Sequence, residues 1–111
     1  MTEHAIDQQT FDELTQTVGA DFVSELVDTF LEEAPPMLAE LRAALEARAT
    51  ESFRRAAHSL KTNANTFGAL AFGAQARALE QGGLPADSVG LDALDAAYAE
   101  VAAALRALTH G

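Results

Sequence analysis

From Leu91 onward, apolar residues return every three or four positions: Leu91, Leu94, Tyr98, Val101, Leu105 and Leu108. That period lines one face of an α-helix, and no stretch of strand length alternates apolar with polar residues. Upstream, Thr10-Phe-Asp-Glu13 reads as a capping box, with Asp7 an alternative start, and Phe11, Leu14 and Val18 follow before Gly19 ends a short helix. Asp21 is placed to cap a second helix with a stripe of Phe22, Val23, Leu26, Val27, Phe30 and Leu31. Pro35-Pro36 interrupts it, yet Ala34, Leu38, Leu41 and Leu45 keep the stripe nearly in phase. One kinked helix or two successive helices satisfy that pattern. Thr50 is a candidate cap for a third helix that Gly68 ends. A fourth carries Ala69, Phe72, Ala76 and Leu79 and stops at Gly82-Gly83, and residues 84–90 read as a loop. Helices joined by short loops predict an all-α, up-and-down antiparallel four-helix bundle with an additional short N-terminal helix.

Composition narrows the function. With 111 residues, 49% of them apolar, residues 1–111 are expected to form a single domain with its core over about 5–108. The chain has no cysteine, which removes disulfides, thiolate metal sites and cysteine nucleophiles. No basic-then-apolar leader and no apolar run of membrane length is visible, so a cytoplasmic, monomeric protein away from membranes is expected. A net charge of −10 repels polyanions and argues against nucleic acid as a partner. The initial methionine and lack of linker sequence favour a free-standing chain.

Against that acidic background, Arg54, Arg55 and Lys61 fall around His58 on one short helix. With Phe53 at zero and 100° per residue, Phe53, Ala56, Ala57, Leu60, Ala64 and Phe67 lie within about 50° of one direction, and His58 about 140° from Phe53, near Glu51 and Asn65. The imidazole is therefore expected on the solvated face, with Arg54 and Lys61 one turn away on either side and Thr62 beyond it. An exposed imidazole is a nucleophile near neutral pH, and flanking cations favour an anion held on it. A phosphoryl group adds roughly two negative charges, so this spacing suits a histidine that accepts and passes on phosphate. Helical side-chain geometry favours the outer nitrogen, Nε2.

Other chemistries lack their parts. His4 and His110 lie in terminal segments, no His or Glu pair has metal-ligand spacing, and no glycine-rich phosphate loop is present. The chain is expected to need no cofactor and to have no kinase or ATPase activity of its own. Glu32, Glu33, Glu40 and Glu46 read as a solvated acidic face, and the phenylalanines, Phe22 included, as core. Asn63 and Asn65 suggest either a fraying helix end or polar contacts with a neighbour.

His58-Ser-Leu60-Lys61 followed by Phe67-Gly68-Ala69 resembles the signature of the histidine-containing phosphotransfer (HPt) domain, His-x-Leu-Lys-Gly, then small residues, an apolar residue and Gly-Ala. Phe22 to Pro35 resembles that family's second helix, and Ala-Leu-Glu80 the helix after the histidine, so the likeness spans roughly residues 5 to 108. The resemblance implies a histidine that relays phosphate between receiver-domain aspartates in a multistep two-component phosphorelay. It implies response-regulator receivers and a hybrid histidine kinase as partners, with Mg²⁺ expected on the receiver only. His58 would be the phosphoacceptor, Lys61 its electrostatic partner and Gly68 a structural turn. Glu80 would be the polar residue that approaches the histidine from the next helix. Arg54, Arg55, Thr62 and Asn65 would border the docked partner. One position departs from the pattern: Thr62 stands where the family usually has glycine, crowding an approaching receiver or hydrogen-bonding the imidazole or phosphate. Two alternatives remain, a non-phosphorylated module that binds a receiver or kinase, and a fragment of a histidine kinase.

Overall fold

The computed structural model describes residues 5–110, with the backbone alone for His110. Five helices follow one another: α1 (Gln8–Val18), α2 (Ala20–Glu46), α3 (Thr50–Thr66), α4 (Leu70–Gln81) and α5 (Val89–His110). Among the described residues there is no strand. α2 packs on α3 and α5, and α4 packs on α3 and α5, so four antiparallel helices close a ring. α1 lies against α2 and α3. None of these helices is long and apolar enough to cross a membrane.

Of the two starts read for α1 the Asp7 alternative holds, and the starts of α2, α3 and α5 differ from the sequence reading. α1 begins at Asp7, whose carboxylate accepts from the backbone N–H of Thr10 at 3.1 Å and from its hydroxyl at 2.6 Å. Thr10 is thus inside the helix and serves the cap from there. Gly19 caps α2 and Ala49 precedes α3, neither with a side-chain bond, so Asp21 and Thr50 are helical residues rather than caps. Val89 and Gly90 belong to α5, not to the preceding loop, and the Asp87 carboxylate accepts from the N–H of Val89 at 3.1 Å.

α2 runs unbroken through Pro35 and Pro36. Pro35 has no N–H, so the carbonyl of Leu31, four residues earlier, loses its helical donor. The Tyr98 hydroxyl of α5 donates to that carbonyl at 3.4 Å, and a long-range contact replaces a local one. The ring of Tyr98 continues an aromatic chain through the core, 6.1 Å from Phe30 and 6.3 Å from Phe72, with Phe30 5.5 Å from Phe67. Such tilted rings interact favourably beyond their apolar burial. Leu41, Leu60, Leu91, Leu94 and Leu105 fill the remaining interior. Phe22 and Leu108 do not join it. Phe22 is 49% exposed, about 100° round α2 from the buried Val23, and Leu108 is 38% exposed in the last turn of α5.

Candidate functional site

Five buried residues, Phe53, Ala56, Ala57, Leu60 and Ala64, press α3 into the bundle and turn the opposite face outward. His58 is on that outer face with its side chain 55% exposed. The end of α3 is set by a Schellman turn: Gly68 N–H donates to Asn65 and Ala69 N–H to Ala64, with Gly68 at φ +87°. That reversal lays α4 antiparallel to α3 and brings Glu80 back beside His58.

Glu80 joins the two expected site residues of α3. Its Oε2 is 2.7 Å from His58 Nδ1, and its Oε1 is 2.8 Å from Lys61 Nζ. The carboxylate is 13% exposed and Lys61 22%, so the pair is shielded while the imidazole is open. Oε1 is occluded from solvent and meets the ammonium as an ion pair outside hydrogen-bond alignment. The Lys61 contact, and then the His58 contact, hold the Glu80 carboxyl below its ordinary range despite the opposing effect of burial. An ionised carboxylate only accepts, so His58 Nδ1 is the donor. In the neutral ring the lone pair then stands on Nε2, the nitrogen turned away from Glu80.

The other expected residues divide between two sides of His58. Arg54 is engaged with Glu51 at 3.0 Å, within its own helix, and that contact raises its pKa. Arg55 leans toward α2, lining a groove with Met37, Glu40, Ser52 and Ser59. Thr62 is exposed, and the only hydrogen bond of the His58 ring among the described residues is the one that Nδ1 donates to Glu80. Asn65 lies over Gly73 of α4, where an added Cβ would collide with its Oδ1. Asn65 thus contacts a neighbouring helix, and α3 stays helical to Thr66. His4 and the His110 side chain lie outside the described residues.

Gly73 and Arg77 escaped the sequence reading. A glycine inside an apolar helical pattern signals close approach of another chain segment, and Gly73 was legible on that ground. Arg77, one turn before Glu80, carried no such signal.

No curated protein and no solved structure matches the chain. A model of the Hpt domain matches residues 25–104, which hold all of α3 and α4 with His58, Lys61 and Glu80. Helical ring, outward imidazole and family match agree, and the chain belongs to the Hpt domain family, whose members are phosphocarriers acting by histidine phosphotransfer in phosphorelays.

Proposed function

We propose that His58 is the phosphoacceptor and that it exchanges a phosphoryl group with the phosphorylated aspartate of a response-regulator receiver. The observation that carries this reading is the 2.7 Å contact between His58 Nδ1 and Glu80 on an otherwise open ring. The Nε2 lone pair attacks phosphorus, the N–P bond forms, and the P–O bond to the aspartyl carboxylate breaks, returning that carboxylate to the receiver. The Nδ1 proton stays where it is. The ring therefore gains positive charge as the bond forms, and the Glu80 carboxylate faces that charge in a shielded position. In the reverse direction the same positive ring is the better leaving group, so one arrangement serves both directions of flow.

Lys61 stands one turn from His58 and offsets the charge of the bound phosphoryl group. Arg54, Arg55 and Asn65 border the docked partner, and exposed Phe22 adds an apolar contact on α2. Thr62 lies on the approach to Nε2 and tunes which receivers fit. The receiver supplies Mg²⁺ and the acidic pocket, and a hybrid histidine kinase is the upstream source. The protein acts in the cytoplasm as a single domain and a monomer.

Incubation with a phosphorylated receiver should label His58, giving a product stable to alkali and labile to acid, and His58→Gln should abolish the label. Binding that survives His58→Gln, with no label from any receiver on a folded wild-type chain, would show a docking module that takes no phosphate.

A further inference from the structure

Beside the His58–Glu80 contact, α3 and α4 leave a shallow groove of about 690 Å³ lined by Asn65, Leu70, Gly73, Ala74, Arg77 and Gln81. Gly73 has no side chain there, and Asn65 occupies the space that a Cβ would take. Leu70 stands at the groove 49% exposed. No carboxylate lines it. That absence is unusual in a chain with 17 acidic and 7 basic residues.

Three of the seven basic residues stand in ion pairs among the described residues. Arg42 holds Asp92 and Asp95, Arg54 holds Glu51, and Lys61 holds Glu80. Arg77 has no ion pair or hydrogen bond among the described residues, and it faces an acid-free groove one turn from Glu80. A solvated guanidinium beside an exposed leucine matches a surface that presents a carboxylate next to an apolar side chain. Glu80 contacts the Nδ1 edge of the ring, and Arg77 stands one turn before it on α4, in the groove and outside the contacts of His58. Its position suits holding a partner more than holding the phosphoryl group.

We infer that this groove is a second docking subsite for the receiver, in which Arg77 pairs with a carboxylate on the receiver surface outside its phosphorylation pocket and so selects among receivers. The inference rests on the phosphotransfer reading above. Arg77 is a specificity residue and not a catalytic one: it acts on encounter and hold, leaving the chemical step to His58 and Glu80.

The test uses the full chain and a phosphorylated receiver that labels wild-type His58, with single-turnover rates measured against receiver concentration. Arg77→Glu should raise the half-saturating concentration roughly fivefold and flatten its salt dependence, with the maximal rate unchanged. Arg77→Gln should fall between. Arg106→Glu makes the same charge change on α5, which does not pack against α3, and should stay near wild type. Unchanged half-saturation in Arg77→Glu, or an equal rise in Arg106→Glu, overturns the subsite. Labelling of His58 by phosphoramidate, a small donor that needs no docking, should be the same in all variants, and a loss confined to the Arg77 variants would also overturn it. Failure of every receiver to label the wild type counts instead against the phosphotransfer reading.

Discussion

Glu80 touches two residues that stand one turn apart on α3, and its two oxygens divide the work. Oε2 holds the imidazole in one tautomer, and Oε1 holds the Lys61 ammonium in reach of the same face. Both contacts favour the ionised carboxylate, so its pKa lies below the ordinary 4.5, with Lys61 the larger cause and His58 the second. The sign of the linkage follows. The folded protein binds this proton less readily than the unfolded chain, so the contribution to stability is fully present above 4.5 and lost as pH falls through the lower folded value. Glu80→Gln should therefore be less stable than wild type at pH 7, and the two should converge on acidification below 4.5. Urea midpoints measured from pH 7 to pH 3 decide it, and parallel curves would refute the linkage. The same variant keeps an acceptor for Nδ1 but removes the charge, so phosphoryl transfer should slow by about an order of magnitude with little change in receiver binding.

At the scale of the helices, the proline pair shows how a local rule yields to a distant partner. Proline inside a helix removes a hydrogen bond and usually kinks the chain, yet α2 continues to Glu46. The Tyr98 hydroxyl on the freed Leu31 carbonyl is one reason, and at 3.4 Å its contribution is modest. Tyr98→Phe should cost about 0.5–1 kcal/mol. In a Pro35→Ala background the same change should cost close to nothing, because the alanine N–H restores the helical donor. A double-mutant cycle by chemical denaturation measures the difference, and additive costs would rule out the substitution of one donor for the other.

Across the whole molecule, Gly68 connects the site helix to the N-terminal segment. Its carbonyl accepts from Asp7 N–H at 2.7 Å. A Cβ there would come within 2.8 Å of the Asp7 carbonyl and 3.0 Å of Thr10 Cβ, on a backbone already at φ +87°. Gly68→Ala should destabilise the fold by about 2–3 kcal/mol, the sum of left-handed strain and a backbone collision. Gly68→Asn tests the second part: asparagine tolerates the conformation but still carries the Cβ, so it should recover little. A melt of Gly68→Asn close to wild type would mean that only the turn matters.

Much of this was legible before any coordinates. The three- and four-residue spacing of Leu91, Leu94, Tyr98, Val101 and Leu105, and its like upstream, suffices for an all-helical bundle, because burial of one helical face depends only on neighbours along the chain. The outward position of His58 follows from the same arithmetic, and the left-handed turn at Gly68 from glycine's place at the end of a helix. Contacts between helices were out of reach, since periodicity specifies which face is buried but not which residue stands opposite. The seat of Asn65 over Gly73, the exposure of Phe22, the tyrosine on the Leu31 carbonyl and the groove around Arg77 depend on how far each helix slides and rotates against its neighbour. Family likeness placed Glu80 near His58. Only the packed bundle showed one carboxylate holding both the imidazole and the ammonium, because that needs α4 in a particular register on α3, and side chains on both helices jointly determine that register.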